Sequence, residues 1–247
     1  MKLIVQEAPA FKSVIDCIAS LVEEGQFEIK QDGLQLKAMD PSQISMVSFT
    51  MPKTAFVEYS IEEETKLGID IGQLSNILSR GKKSEKVELT TEEGRLVVKF
   101  SGEKHKRTFK IPLIEGADKV QREPKIEFKS YAKIKADALK ETLKDAKLVS
   151  SHVRLQLTPQ MFIVDVKGEG GEVRAEFENG GEEVSELKTE NLIKATFPLQ
   201  YLEDMVKATS SSSIVTINLE TDRPLKLEFE TEGAKLAYYL APRIETE

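Results

Sequence analysis

The chain has 247 residues, 40% of them apolar and 31% charged, with Lys+Arg 35 against Asp+Glu 42 and a formal net charge of −7. That composition suits a soluble, acidic protein of two domains, or one at the upper size of a single core, since domains run to roughly 100–200 residues. No apolar run reaches the ~20 residues of a membrane-spanning helix, and one Cys with two His falls short of the about four ligands of a structural zinc site.

The opening MKLIVQEAP carries neither the apolar stretch nor the small-residue cleavage site of a secretory signal. Cys17 has no second Cys to pair with, so a reducing, intracellular compartment is the expectation. Residues 8–22 then place Phe11, Val14, Ile15, Ile18, Leu21 and Val22 at helical spacing, predicting an amphipathic helix in which Cys17 is a small buried hydrophobe. FEIKQDGLQLKAM (27–39) alternates apolar and polar residues about Asp32-Gly33, predicting paired strands. A short helix follows over 72–80 on Leu74, Ile77 and Leu78. KVELTTEEGRLVVKF (86–100) reads as a hairpin turning at Glu93-Gly94, and KRTFKIPL (106–113) as the strand after it.

Residues 114–128 are polar and aperiodic, with Pro124 and only Val120 and Ile126 as apolar anchors, so they read as a linker. A third helix is predicted over 136–149 (Leu139, Leu143, Ala146, Val149) and a fourth over 198–208 (Leu199, Leu202, Met205, Val206). SIVTINLE (213–220) and PLKLEFE (224–230) alternate as strands, while the Gly/Glu-rich stretch 168–183 reads as a mobile hairpin tip. A shift of 128 positions sets Phe11 on Leu139, Ile15 on Leu143, Leu74 on Leu202, Leu78 on Val206, Val87 on Val215 and Leu89 on Ile217. One further residue of shift sets Val98 on Leu227, Phe100 on Phe229, Phe109 on Tyr238 and Ile111 on Leu240. The chain therefore reads as one unit written twice: an α+β fold with domains over 1–113 and 129–247 joined by 114–128.

Candidate chemistry is sparse. Gly81-Lys82-Lys83-Ser84 lacks the earlier Gly of a phosphate-binding loop, Asn76 standing in its place, and Gly168-Glu-Gly170-Gly171 leads from strand into strand instead of opening a helix. His105 and His152 lie near no nucleophile motif, and Glu62-Glu63-Glu64 reads as a solvated turn. Charge placement is more telling. Lys140, Lys144 and Lys147 share one face of the third helix, with Glu141 and Asp145 as a separate acidic stripe. Lys12 lies on the first helix; Arg80, Lys82 and Lys83 follow the second; Lys207 closes the fourth. These cations are either ordinary solvated faces or, if all helices share one side of the sheets, a common basic surface that contacts phosphates without reading bases.

Three strings sharpen the choice: Leu36-Lys-Ala-Met-Asp-Pro-Ser42 with Gln43-Ile44, Leu67-Gly-Ile-Asp70 running into Leu74–Leu78, and Tyr239-Leu-Ala-Pro-Arg-Ile-Glu245. Together the chain resembles the PCNA-type DNA sliding clamps of archaea and eukaryotes. The resemblance implies two similar clamp domains with antiparallel sheets outside and four helices on the inner face, three subunits closing head to tail, and duplex DNA encircled without sequence preference. It implies DNA-facing roles for Lys12, Arg80, Lys82, Lys83, Lys140, Lys144, Lys147 and Lys207. Asn76 and Ser79 stand where the family is commonly basic. It implies a pocket for short partner peptides built from Met39, Gln43, Ile44, Met46, Val120, Pro224, Tyr239, Ala241, Pro242 and Ile244, receiving clamp loader, DNA polymerase, flap endonuclease and DNA ligase. Ring closure would join the strand Lys106–Leu113 to Val173–Phe177 of a neighbour, involving Lys83, Arg107, Phe109, Lys110 and Ile111 on one side and Val173, Ala175 and Phe177 on the other. Glu141 and Asp145 are expected to face the basic residues Arg107, Lys83 or Lys110 of the adjacent subunit.

The expectation is thus a noncatalytic processivity factor with no cofactor, metal or membrane partner, cytoplasmic in an archaeon or nuclear in a eukaryote, with the archaeal case favoured. The alternatives are one subunit of a heterotrimeric replication or checkpoint clamp and, from another class, a Mg²⁺-dependent phosphoesterase using an acidic cluster.

Overall fold

The computed structural model describes residues 1–115 and 122–244. Two compact units emerge: Met1–Pro41 with Val47–Arg122 and Thr231–Leu236, and Ser42–Met46 with Glu123–Glu230 and Ala237–Glu247. The first half of the chain runs β1 (Lys2–Val5), α1 (Ala8–Ala19), β2 (Glu24–Lys30), β3 (Gly33–Met39), β4 (Ser45–Pro52), β5 (Glu58–Ser60), β6 (Thr65–Asp70), α2 (Ile71–Leu78), β7 (Lys86–Glu92), β8 (Arg95–Ser101) and β9 (Lys106–Pro112). Its strands are ordered β5-β1-β7-β8-β9 and β4-β3-β2-β6.

The second half runs β10 (Tyr131–Lys135), α3 (Ala136–Lys147), β11 (His152–Leu157), β12 (Met161–Gly168), β13 (Gly171–Glu178), β14 (Val184–Lys188), β15 (Ile193–Pro198), α4 (Leu199–Lys207), β16 (Ile214–Asn218), β17 (Leu225–Thr231) and β18 (Ala234–Leu240). Its orders, β14-β10-β16-β17-β18 and β13-β12-β11-β15, repeat the same arrangement. The repeat extends to single hydrogen bonds. Ala8 N–H donates to the Glu85 carbonyl at 3.0 Å, and Ala136 N–H, 128 positions on, donates to the Ser213 carbonyl at 2.8 Å. Likewise Ile71 N–H donates to Glu23 O at 2.8 Å and Leu199 N–H to Ser151 O at 2.9 Å. The cross-strand pair Leu89↔Val98 recurs as Ile217↔Leu227. The edge-on rings Phe100 and Phe109, with centroids 5.8 Å apart, recur as the stacked pair Phe229 and Tyr238 at 5.9 Å.

Within each unit the helices pack as a pair, α1 on α2 and α3 on α4, and bury the apolar stripes read from the sequence. Phe11, Ile15, Leu74, Leu78, Leu139, Leu143, Leu202 and Val206 are all buried. Helix starts have local causes. Pro lies in the first turn of α1, where its missing N–H costs no bond, and the Asp70 carboxylate accepts Gln73 N–H at 2.7 Å to cap α2. In α3, Asp137 sits in the first turn and Lys144 and Lys147 in the last, as the helix dipole favours. The helices stop short of the apolar pattern. Leu21 and Val22 stay buried past the end of α1, where their N–H groups both turn back to Ile18 O at 3.1 and 3.2 Å, so periodicity alone overran the helix.

The stretch 168–183 corrects the expectation of a mobile tip. Residues 171–178 form β13, paired with β12 from Gly168↔Gly171 to Met161↔Glu178. It is an edge strand: Val173, Ala175 and Phe177 are half-buried while their neighbours face solvent, so the composition looked like loop. Cys17 is buried, with its thiol donating to Ser13 O at 3.2 Å.

Candidate nucleic-acid and partner surfaces

In the second unit, α3 and α4 enclose a hollow of about 380 Å³ lined by Lys140, Leu143, Lys144, Lys147, Val206 and Lys207, with Gln200, Glu203 and Asp204. Four predicted cations therefore meet at one place, in unequal states. Lys140 donates to the Thr209 carbonyl at 2.6 Å and the Lys207 carbonyl at 3.4 Å, neutralising the negative end of α4. Lys147 pairs with Glu203 at 2.8 Å, while Lys207 is exposed at the end of α4. Lys144 bonds Glu141 at 2.6 Å, and this contact raises its pKa above the ordinary lysine value. The acidic stripe is thus not separate from the basic one, as expected from spacing; at three residues apart, Glu141 and Lys144 are neighbours across one turn. Both side chains are largely exposed, so the pair contributes little to stability.

In the first unit, Lys12 is held by Asp16, whose other oxygen accepts Ser75 Oγ at 2.5 Å and so ties α1 to α2. Arg80, Lys82 and Lys83 are exposed where α2 leads into β7, beside exposed Asn76 and Ser79. That turn is tightly fixed. A Cβ on Gly81 would lie 2.3 Å from Ala8 Cβ and 2.8 Å from Phe100 Cε1. Just beyond, the carboxylate of fully buried Glu85 accepts Lys82 N–H at 2.7 Å and Arg107 Nη2 at 2.7 and 2.9 Å, and meets His105 Nε2 at 2.8 Å. Arg107 also donates to Arg80 O at 2.8 Å and lies 5.0 Å over the Phe100 ring. Burial alone would push the Glu85 carboxyl up, but the Lys82 amide, Arg107 and His105 outweigh it and hold it below the usual carboxylate range.

Of the predicted subunit-contact residues, β9 and β13 each lie at the end of a strand order, with β8 and β12 as their partners. Glu141 and Asp145 are exposed on α3, and Lys110 pairs with Glu92 at 2.7 Å. Ile111 is 1% exposed because alternation turns it into the core, and Arg107 pairs with Glu85 while remaining 32% exposed.

The predicted peptide pocket divides similarly. Met39 is half-buried on β3 of the first unit. In the second unit, Ala241 N–H donates to Ile44 O at 2.8 Å, bringing the C-terminal segment beside the Gln43-Ile44 loop, where Gln43 is exposed with φ 60°. Pro224, Ala241 and Pro242 are half-exposed and Ile244 is 79% exposed. Met46 and Tyr239, in contrast, are 3% and 5% exposed and act as frame, not lining. The Tyr239 hydroxyl donates to Glu123 at 2.8 Å; burial and this carboxylate push its pKa well up. Lys226 Nζ lies 5.7 Å from the Tyr239 ring centroid. Sequence reading missed Glu123 and Lys226, which carry no local motif. Val120 lies outside the described residues.

Two units of one plan, each with a helix pair bearing cations and two antiparallel sheets, define a duplicated α+β clamp fold. Family models for the N-terminal and C-terminal domains of proliferating cell nuclear antigen match residues 1–115 and 123–244. The chain belongs to the PCNA family. A DNA polymerase sliding clamp of Methanococcus maripaludis is 38% identical over 242 residues, covering 96% of each chain. DNA polymerase sliding clamp 1 of Pyrobaculum aerophilum is 36% identical over 241 residues, covering 97% of this chain and 96% of its own. Among solved structures, PCNA from Thermococcus kodakaraensis superposes with a TM-score of 0.93 at 26% identity over 98% of this chain and 99% of its own. A. fulgidus PCNA, solved with the C-terminal region of FEN-1 bound, gives 0.90 at 29% identity over 100% and 99%.

Proposed function

We infer that this chain is a DNA sliding clamp, a processivity factor that holds replication and repair enzymes on duplex DNA without catalysing a reaction itself. The observation that carries the reading is the match of both halves to the two PCNA domains, on a frame that exposes Lys144 and Lys207 on α3 and α4 and Arg80, Lys82 and Lys83 in the turn after α2. Three copies close head to tail, β9 of each pairing with β13 of the next, so that two open strand edges disappear at every junction. The helices then form the wall around DNA. Their lysines contact phosphates diffusely, so retention comes from enclosure and sliding stays cheap.

Partner enzymes dock by short peptides whose apolar anchors rest on Ile44, Pro224, Ala241, Pro242 and Ile244, which raises their effective concentration at the primer end. Flap endonuclease is the partner with most support, from the FEN-1 segment bound to a related clamp; polymerase, ligase and an ATP-driven loader follow from the same mode. Solution mass combined with small-angle scattering tests the assembly, a three-subunit annulus being expected. A compact monomer at all concentrations would refute the homotrimer and make this chain one member of a mixed ring. Loaded protein should stay on closed circular DNA at high salt and leave once the circle is cut; equal loss from both would refute enclosure.

A further inference from the structure

On the outer face of the four-stranded sheet of the second unit, five residues stand directly opposite one another in a single transverse row. The register runs Arg243↔Thr196, Thr196↔Arg154, Arg154↔Asp165 and Asp165↔Arg174. Cross-strand partners share a face, so three arginines line up with one carboxylate. His152 precedes Arg154 by two residues and Lys167 follows Asp165 by two, which puts both on the same face. Ser150, His152, Arg154, Asp165, Lys167 and Thr196, together with Arg243, enclose a hollow of about 180 Å³, the size of one small charged group. Arg243 Nη1 lies 3.4 Å from His152 Nδ1, which also meets Ser151 Oγ at 3.0 Å, and Arg154 Nε donates to Thr196 Oγ1 at 3.4 Å. Arg174 is 3.8 Å from Asp165. The hollow thus sets Arg154 and Arg243 against Asp165, while Lys167 at its rim pairs with Glu172 at 3.3 Å and Arg174 beside it pairs with Glu176 at 2.6 Å.

The duplication provides an internal control. The backbone bond that seats the segment, Arg243 N–H to Thr196 O at 2.7 Å, recurs in the first unit as Ile114 N–H to Gly68 O at 2.9 Å. There the row reads Ile114, Gly68 and Gln26, with Lys37 in the place of Asp165 and Glu24 in the place of His152. The frame therefore folds without Arg154, Arg243 and the carboxylate between them.

We propose that this hollow is an oxyanion site that receives a carboxylate from an acidic segment of a partner protein. A carboxylate on a flexible side chain can enter beside Arg154 and Arg243, whereas the rigid phosphate ladder of a duplex would run against Asp165 and against Glu172 and Glu176 on the adjacent edge strand. Arg243 lies between Pro242 and Ile244, so apolar footing for a peptide adjoins the charged hollow. His152 reports occupancy. Burial and then the Arg243 charge lower its pKa in the empty site, and an anion seated beside Arg243 reverses the second effect.

The chain has two histidines, so both imidazoles are resolved by NMR in the full-length protein. Hexaglutamate is the probe, a 12-base-pair duplex the comparator, and His105 the internal reference. Hexaglutamate should move the titration midpoint of His152 up by about one pH unit, leave His105 in place, and bind at least tenfold more weakly to Arg154→Ala and Arg243→Ala. An unmoved His152, an affinity equal to wild type in Arg154→Ala and Arg243→Ala, or a response to duplex and not to hexaglutamate would each overturn the assignment. A cooperative urea transition at the wild-type midpoint shows that a variant is folded. The site lies wholly in the second unit, so a chain that failed to form a ring would still test it.

Discussion

Replacing Glu85 by Ala removes the acceptor at the centre of the knot between the α2–β7 turn and the start of β9. The carboxylate is fully buried and meets Lys82 N–H, His105 Nε2 and Arg107 Nη2 at 2.7–2.9 Å. Hydrogen bonds to charged groups contribute about 1.5–3 kcal/mol each when buried. His105 and Arg107 are 49% and 32% exposed, so water takes over part of their bonding and their shares fall below about 1 kcal/mol each. Relief from burying the carboxylate offsets a little more, and a loss of about 2–3 kcal/mol is expected. In urea at fixed protein concentration the unfolding midpoint should fall by about 1 M, given a slope near 3 kcal/mol/M. The pH dependence gives a second, independent check. A carboxyl held below its ordinary 4.5 contributes stability that is present above that value and lost as pH falls through the lower folded pKa. Wild type and Glu85→Ala should therefore differ fully at pH 7 and converge only in acid below pH 4.5. A difference under about 1 kcal/mol at pH 7, or one that persists undiminished in acid, would show that the knot is not stabilising.

Gly81→Ala forces a methyl to within 2.3 Å of Ala8 Cβ, so thermal unfolding should show a loss of about 1–3 kcal/mol; a neutral result would mean that α1 and the turn shift apart freely. Lys144→Ala with Lys207→Ala should weaken DNA binding uniformly across sequences and flatten the slope of log K against log salt by about 0.9 per lost phosphate contact. An unchanged slope would place those lysines away from DNA. Asp145→Lys, reversing an exposed charge on α3, should shift the assembled mass toward monomer as salt falls. A mass unchanged at micromolar concentration across salt would mean that no cation of a neighbour faces it.

The helices and the duplication were legible because both rest on spacing: apolar residues three and four apart can only be buried along one helical face, and the same spacing recurs 128 positions later in Leu139, Leu143, Leu202 and Val206. What lay beyond local pattern was not legible. Edge strand β13 shows half its residues to water and so reads as Gly/Glu-rich loop. Glu85, His105 and Arg107 are drawn together by the pairing of β7, β8 and β9, and nothing around a single Glu in sequence announces that it is buried. The cationic helix faces were visible, but the partners that hold Lys140 and Lys144 were not, since each depends on side-chain reach across a turn or onto the next helix. Met46 and Tyr239 were assigned to a pocket on motif alone, and burial makes them its frame.

Comparing the halves separates what the fold needs from what function adds. The carbonyl of residue 85 and that of residue 213 accept the same helix-starting N–H, so the backbone role is shared. The side chains differ, and they differ as a pair: Glu85 with Arg107 in the first half, Ser213 with buried Leu236 at the matching positions in the second. A buried carboxylate is tolerated only beside its cation, and removing both partners together is nearly neutral where removing one is costly. The second half therefore folds without an ionic pair at this place, and in the first half the pair sits on β9, the last strand of its order. Arg107 anchored inward fixes the strand's position while leaving its outer backbone groups free to pair. If so, Glu85→Ser combined with Arg107→Leu should recover most of the stability lost in Glu85→Ala, by urea unfolding, yet still weaken self-association. Recovery of both would reduce the knot to packing alone.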